Sequence, residues 1–195
     1  MEKNRFVQTA EYHTHTFYSD GKGTMEQNVQ MARKIGLKTI GISDHGYRHM
    51  GFGVKYKDYP KMKEEILRLR EKYPDIEILL GVEANILDDS GEIDVDDFIL
   101  QYVDYVMAGY HFGSAITKMR GLRNHICNYI KPLKNFEIEY NIRALVNAMR
   151  RNNLFILTHP GDKGRIDTLE VAKVARETDT ILEINTHHPN LSVEQ

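Results

Sequence analysis

Apolar and polar positions follow two different periodicities along this chain. Short apolar runs bounded by turn residues are typical of buried strands, whereas apolar residues repeated every three or four positions indicate amphipathic helices. The short runs predict strands at 39–43, 78–82, 103–109, 154–158 and 180–185, preceded by an extended segment at 11–15.

The segments between these strands carry the helical repeat. They predict helices at 24–36, 60–72, 95–101, 136–151 and 167–177. Thr24 and Gly36 are residue types typical of the start and the end of a helix. Residues 87–94 predict a small hairpin, and residues 112–135 predict a long connection. The regular alternation of strand and helix predicts an α/β fold with a parallel sheet in a single domain.

The predicted strands share a chemical feature at their C-terminal ends. The first five end in histidine, an acidic residue or both, namely His13 and His15, Asp44-His45, Glu83, His111 and His159. Parallel strands place these ends on one rim, where α/β proteins hold their active sites. Imidazole and carboxylate groups bind divalent transition metals, and Asp20 adds a carboxylate close to His15. The pattern therefore predicts a metal site.

Composition and charge indicate which partners and which cellular compartment to expect for this chain. The chain has 195 residues and a formal net charge of -2, which argues against general nucleic-acid binding. Cys127 is the one cysteine, so the chain forms no intrachain disulfide and a reducing cytoplasm is expected. No stretch approaches the roughly 20 apolar residues of a membrane-spanning helix. We therefore expect a cytoplasmic protein without a membrane segment.

From about residue 9 to residue 186, the ordered motifs resemble those of the PHP (polymerase and histidinol phosphatase) family. The motifs are His13-x-His15, Ser19-Asp20-Gly21, Ser43-Asp44-His45, Gly81-x-Glu83, His111 and His159-Pro160. The segments 81–86, 91–94 and 182–185 are similar to those of the small stand-alone PHP phosphatases. The resemblance implies a distorted (β/α)7 barrel with a trinuclear metal centre at the strand ends.

The resemblance also implies which residues bind each ion. His13, His15 and Glu83 would hold one metal, Glu83 would bridge to a second held by His111 and His159, and Asp20 and His45 would lie at the third. Two to three ions of zinc, manganese or iron are expected, because imidazoles and carboxylates suit all three. Glu83, His111, His159 and Asp20 would then be the catalytic residues.

The end of the sequence departs from the family pattern. Family members close the site with an Asp-x-His pair after a seventh strand, and residues 187–195 contain no such pair. We therefore expect one PHP domain over residues 1–195 with about six β/α units, lacking the C-terminal unit. His187, or else His188, is a candidate to replace the missing histidine. A homo-oligomer is one way to cover the open edge of the barrel.

This ligand set predicts hydrolysis of a small phosphomonoester by a metal-bound hydroxide. The cationic candidates to bind the phosphate are Lys118, Arg120, Arg123, Lys163 and Arg165. The loop 46–54, rich in glycine and aromatic residues, is either a substrate-covering loop that contains His49 or a plain surface loop. Two other functions stay open. One is a nuclease or proofreading module, as found attached to bacterial replicative polymerases, and the other is a metal-binding but inactive protein. Hydrolysis of a chromogenic phosphate ester, compared with single-stranded DNA, separates the three.

Overall fold

Six parallel strands follow one another in chain order across one curled sheet. The computed structural model describes residues 7–133 and 135–185. Its strands are β1 Ala10–Glu11, β2 Thr39–Ile42, β3 Glu77–Asn85, β4 Tyr105–Gly109, β5 Ile156–Leu157 and β6 Ile181–Leu182. Each strand pairs in parallel with the next, so that β1 and β6 form the two edges of a half-barrel. The predicted α/β class and the parallel sheet are confirmed.

Helices connect the strands and cover the outer face of the sheet. They are α1 Met25–Ile35, α2 Tyr59–Lys72, α3 Asp97–Leu100, α4 Met119–Tyr129, α5 Ile138–Arg151 and α6 Thr168–Glu177, with short 3₁₀ turns at Tyr56–Asp58 and Lys131–Leu133. The predicted ends of α1 are confirmed. Thr24 Oγ1 accepts a hydrogen bond from the N–H of Gln27, whose side chain accepts one from the N–H of Thr24. Gly36 ends the helix with a φ of 86°, a conformation that glycine adopts without strain.

The alternation of side chains along β3 separates an apolar face from a polar face. Leu80, Val82 and Ala84 are buried in the core that the sheet shares with the helices. Glu83 and Asn85 alternate with these residues and therefore point to the concave side of the sheet. Both are buried, although both are polar. The polar side chains of β3 thus lie on the concave face of the sheet.

One layer below Glu83, aromatic rings fill the inside of the half-barrel. The Tyr105 ring lies over Gly41 and Gly81, where any Cβ atom would collide with it. Its hydroxyl donates a hydrogen bond to the Tyr12 carbonyl at 2.5 Å. Tyr12 and Phe155 pack edge-on against this ring, with centroids 5.9 and 5.7 Å away. These three rings thus fill the interior of the half-barrel below the C-terminal ends of the strands.

Helix α4 lies within residues 112–135, where the sequence pattern predicted only a connection. Its buried positions are Gly121, Asn124, Cys127 and Asn128, whereas Met119, Ile126 and Tyr129 are exposed. The helix therefore has no buried apolar stripe, which is the signal that predicts a helix. Amide side chains hold it in place instead.

The buried amides of α4 and α5 form a continuous network. Asn128 and Asn141 exchange hydrogen bonds at 2.8 and 3.1 Å. Asn141 also donates to the Arg165 carbonyl, and Asn124 donates to the Tyr110 hydroxyl. The network thus connects α4 and α5 with the loop after β5 and with the residue before His111. None of the helices in the described part of the chain is long and apolar enough to cross a bilayer.

We expect Asn128→Ala to lower the free energy of unfolding by about 1–3 kcal/mol, because it removes the donor to the buried side-chain oxygens of Asn124 and Asn141. Denaturant unfolding of the metal-stripped protein measures the change. Asn153→Ala, at an exposed position, is the matched control and should change stability by less than about 0.5 kcal/mol. Equal effects of the two substitutions would contradict a stabilising role of the network.

Candidate metal centre

The C-terminal ends of the strands bring the predicted ligands together around one carboxylate. His13 and His15 follow β1, His45 follows β2, and Glu83 lies within β3. His111 and His159 each lie two residues beyond the end of their strand. Because all six strands are parallel, these positions share one rim.

Three imidazoles surround one oxygen of Glu83. The Nε2 atoms of His13, His111 and His159 lie 3.2, 3.1 and 3.0 Å from Glu83 Oε1. The Nε2 atoms of His111 and His159 are 3.2 Å apart. Glu83 itself is 1% exposed, so water does not supply its partners. Ring nitrogens on three strands thus converge on a single buried atom.

Two further imidazoles lie beside the other oxygen. His15 Nε2 and His45 Nδ1 lie 3.2 and 2.9 Å from Glu83 Oε2. The three atoms are close, but their angles are unsuitable for hydrogen bonds, and each is a buried polar atom without a hydrogen-bond partner. Buried nitrogen and oxygen atoms of native proteins nearly always have a partner. A cation between these atoms would supply one.

In three of the rings, the nitrogen that points away from Glu83 contacts an oxygen atom. The pairs are His13 Nδ1 with Glu183 at 2.7 Å, His15 Nδ1 with Asp20 at 2.6 Å and His111 Nδ1 with Asn85 Oδ1 at 2.9 Å. Carboxylate and carbonyl oxygens accept hydrogen bonds, so each Nδ1 carries a proton. In the neutral rings, the Nε2 lone pairs therefore face Glu83. This arrangement is typical of histidines that bind metals.

Asp94 fixes the orientation of Asn85. The Asn85 side-chain amide donates to Asp94 Oδ2 at 2.7 Å, which leaves its Oδ1 to accept from His111. Asp94 also accepts from the backbone N–H groups of Asn85 and Arg48. Burial raises the pKa of Asp94, and these hydrogen bonds act in the opposite direction. A chain of buried groups thus sets the tautomer of His111.

Protonated imidazoles supply only some of the hydrogen bonds that the Glu83 carboxylate can accept. Burial lowers the pKa of His111 to about 4, and the attraction of Glu83 offsets this only partly. His111 is therefore neutral near pH 7, and its Nε2 lone pair faces an acceptor oxygen 3.1 Å away. Two acceptors at this distance repel each other unless a cation lies between them. The donor set of imidazoles and a buried carboxylate therefore fits divalent transition metals.

The pKa values of His13 and His15, nearer the edge of the site, shift in the opposite direction from that of His111. Burial acts to lower the pKa of His13, but Glu83 and Glu183 together raise it well above its usual value. The pKa of His15 is also raised, because Glu83 and Asp20 outweigh burial. Burial acts to raise the pKa of Glu83, but the neighbouring imidazoles hold it well below its usual value. Glu83 is therefore an anion, and the centre attracts positive charge.

Three sets of potential ligands lie close enough together to hold a metal ion. They are His13 with His15 and Glu83, His15 with Asp20 and His45, and His45 with Glu83 and His111. Asp20 Oδ2 lies 3.8 Å from His45 Nε2, on the side facing away from Glu83. The structure thus brings together every predicted ligand that it describes. His187 and His188 lie outside the described residues.

The centre opens into a pocket of about 820 Å³. Apart from the predicted ligands, it is lined by His49, Met50, Gly51, Phe52, Phe112, Gly113, Lys163 and Asn185. His49 stacks on His45 with ring centroids 4.7 Å apart, and its Nδ1 accepts a hydrogen bond from the Phe52 N–H at 3.1 Å. The loop containing His49 thus covers one side of the centre.

Four of the cations predicted to bind phosphate contact other groups. Lys118 pairs with buried Asp88 at 2.9 Å, and Arg123 pairs with buried Glu137 at 2.8 Å. Arg120 also pairs with Glu137, at 3.4 Å, and Arg165 donates to Asn135. None of the four is among the described residues that line the pocket. Phosphate contacts of these four stay a prediction, and Lys163 is the predicted cation that the structure places in the pocket.

Sequence reasoning left Glu183, Asn85 and Asp94 out of the site. Glu183 lies in the predicted strand 180–185, but its partner His13 is 170 residues away, so no local spacing links the two. Asn85 lies two residues beyond Glu83 on the same strand face, and this spacing could have identified it. Asp94 comes near Asn85 through the turn at 87–94, the predicted hairpin, where Ile86 and Ile93 form an antiparallel bridge.

The fold and the rim together define the class of protein. It is an α/β half-barrel with a histidine–carboxylate centre, suited to metal ions, at the C-terminal ends of its strands. The PHP domain family model matches residues 11–187, and the chain belongs to this family. The predicted resemblance is confirmed.

Named relatives agree with this assignment. A probable phosphatase of Clostridium acetobutylicum is 32% identical over 181 residues, which cover 89% of this chain and 62% of the relative. A probable phosphatase of Thermoanaerobacter sp. is 33% identical over 175 residues, with the same coverage of both chains. The chain thus spans less than two thirds of the length of these relatives.

A solved structure has a similar fold. The histidinol phosphate phosphatase of Lactococcus lactis, complexed with zinc, L-histidinol and phosphate, superposes with a TM-score of 0.58 and 18% sequence identity. The match covers 92% of this chain and 73% of that chain. At this identity the likeness shows the fold.

We expect Glu83→Gln to lower the pKa of His13 in chelator-treated protein, because the change removes one of the two carboxylates that raise it. Proton NMR of the His13 ring as a function of pH measures the change. Glu177→Gln, on the exposed surface of α6, is the matched control and should leave the titration unchanged. A His13 titration identical in wild type and Glu83→Gln would show that Glu83 does not hold this ring.

Proposed function

We propose that the chain is a metal-dependent phosphatase that hydrolyses a small phosphomonoester, and that residues 1–195 act as one PHP phosphoesterase domain. The observation that carries the proposal is the buried Glu83 carboxylate, which has imidazole nitrogens within 3.2 Å of both its oxygens. A carboxylate with ligands on both sides can bridge two cations. The names of the relatives, probable phosphatases, support the same chemistry.

We propose two to three divalent ions, zinc, manganese or iron. His13, His15 and Glu83 would hold the first, Glu83, His111 and His159 the second, and Asp20 and His45 the third. Bound there, such ions lower the pKa of water and neutralise charge on phosphoryl oxygens. The zinc in the Lactococcus lactis phosphatase supports this choice of metals. Asp20, which is half exposed and next to two imidazoles, is the carboxylate of this set nearest to solvent.

Two side chains of the pocket are suited to hold the phosphate. Lys163 is a cation in the pocket lining, and it forms an ion pair with Asp162. His49 accepts a hydrogen bond at Nδ1, so its neutral ring carries the proton on Nε2. That N–H can donate to a phosphoryl oxygen but cannot bind a metal in the same tautomer. His49 would therefore orient the substrate.

The pocket is better suited to a small ester than to a polynucleotide. Among the described residues that line it, Lys163 is the only lysine or arginine. Nucleic-acid binding needs several cations along the backbone path. Met50, Phe52 and Phe112 line the pocket with apolar surface instead. A nuclease therefore stays the alternative, and association of two copies over the edge of the sheet stays a prediction.

We expect the metal-loaded chain to hydrolyse p-nitrophenyl phosphate, and Glu83→Gln to lose on the order of 10²-fold or more of this activity. The amide keeps the shape of the side chain but not the charge needed between two cations. Turnover is measured at matched metal content, together with circular dichroism. Wild-type turnover in the variant would exclude Glu83 as the bridging ligand.

The same assay distinguishes the alternatives. Cleavage of single-stranded DNA without ester hydrolysis would indicate the nuclease. A chain that holds two or more metal ions but hydrolyses neither substrate would be the inactive metal-binding protein. Less than about half an equivalent of metal in a metal-buffered preparation would contradict the metal centre itself, since a complete set of ligands holds metal tightly.

His49→Phe should raise KM about tenfold with a smaller change in kcat, because the ring can still stack on His45 but no longer donates a hydrogen bond to the phosphate. Steady-state kinetics with p-nitrophenyl phosphate measure both constants. His49→Gln keeps a donor and should fall between wild type and His49→Phe. A loss confined to kcat in both variants would contradict a role in substrate binding.

A further inference from the structure

We propose that Glu183 is a positioning residue that holds two of the proposed metal ligands, His13 and His159, in the geometry that binding requires. The inference depends on the proposed metal centre but not on the phosphatase reaction. It begins from one carboxylate that uses each of its oxygens for a different histidine. Oε1 lies 2.7 Å from His13 Nδ1, and Oε2 accepts a hydrogen bond from the His159 backbone N–H at 2.8 Å.

The contact with His13 determines which nitrogen of the ring faces the centre. A carboxylate only accepts hydrogen bonds, so His13 donates its Nδ1 proton to Glu183. The Nε2 atom is then the one available to a metal, and it lies 3.2 Å from Glu83 Oε1. An outer carboxylate of this kind fixes the ring orientation and increases the basicity of the ligating nitrogen.

The contact with His159 supports an unusual backbone conformation. His159 has a φ of 30°, in the left-handed region that residues other than glycine rarely adopt. Such residues persist where the surrounding structure holds them in place. The hydrogen bond from the His159 N–H to a carboxylate is one such restraint. With this backbone, His159 Nε2 reaches to 3.0 Å from Glu83 Oε1.

Glu183 is itself held firmly. Its N–H donates to the Leu157 carbonyl at 3.1 Å, which continues the pairing of β6 with β5. Its side chain is 16% exposed and hydrogen-bonds with Asn185 as well. Glu183 therefore joins the end of β6 to the residues after β1 and β5. His13 follows the edge strand β1 and His159 follows β5, so one side chain contacts residues from two distant strands of the sheet.

Zinc affinity tests this role without depending on catalysis. We expect Glu183→Ala to bind zinc about 10–100-fold more weakly than wild type, as is typical when the hydrogen-bond partner of a ligating histidine is removed. The full-length, chelator-stripped protein is titrated with zinc against a chromophoric chelator. Glu177→Gln, an exposed acidic position on α6, is the matched control and should keep wild-type affinity.

Glu183→Gln separates positioning from a general effect on folding. The amide keeps one oxygen for His13, but its NH₂ group then faces the His159 N–H, a second donor. We expect zinc affinity between that of wild type and Glu183→Ala, while circular dichroism of the metal-free variant still shows the wild-type fold. In the zinc-loaded protein, ¹⁵N NMR should detect the Nδ1 proton of His13 in wild type and its faster exchange in Glu183→Ala.

Two results would overturn the inference. One is zinc affinity within twofold of wild type in both Glu183 variants. The other is a wild-type chain that binds no zinc. If Glu183→Ala does not fold, Glu183→Gln alone decides between the outcomes. Normal zinc binding without any hydrolysis of p-nitrophenyl phosphate would contradict the proposed function while leaving the role of Glu183 in place.

Discussion

The main physical constraint on this structure is that the negative charge of Glu83 is buried away from water. A buried carboxylate is costly unless it is paired, and the pairing groups here are five imidazoles from four other strand ends. Their number exceeds what one negative charge can keep protonated, because positively charged rings repel one another. The surplus of nitrogen lone pairs around a buried anion is unfavourable in a protein without cations and favourable around metal ions. The parallel sheet makes this concentration possible, since it directs every strand end to the same rim.

The same need to pair buried charge determines where several basic side chains of α4 lie. Asp88 and Glu137 are buried carboxylates outside the centre, and the basic residues at the start of α4 neutralise them. These pairs anchor a helix whose inner face is made of amides rather than apolar side chains. Position along the chain alone therefore does not place a basic residue in the pocket, because a basic segment that follows a predicted ligand can contact other groups. Lys163, on the loop after β5, lies in the pocket itself.

Much of the fold and of the ligand set could be predicted because the signals are local. The strands of 77–85 and 105–109 follow apolar runs, α1 has both of its end signals, and each proposed ligand except Asp20 lies at the end of a predicted strand. Helix α4 could not be predicted in this way, since Asn124 and Asn128 replace the buried apolar stripe. The residues that orient the ligands could not be predicted either. Whether Glu183 meets His13 depends on the curvature of the whole sheet, which no short segment of sequence encodes.

The curvature of the sheet affects how firmly the histidines of the centre are held. The proposed ligands on or just after β2, β3 and β4 belong to strands with a neighbour on both sides, whereas His13 follows an edge strand. β1 has only two residues and one neighbour, so its pairing alone restrains His13 weakly. Contacts below and above the strand add to this restraint. Below, the Tyr105 hydroxyl holds the Tyr12 carbonyl. Above, Glu183 reaches from β6, the opposite edge, to the His13 ring. In this half-barrel the two edges of the sheet therefore meet through one side chain at the rim, and this side chain holds the histidines that follow the first and fifth strands.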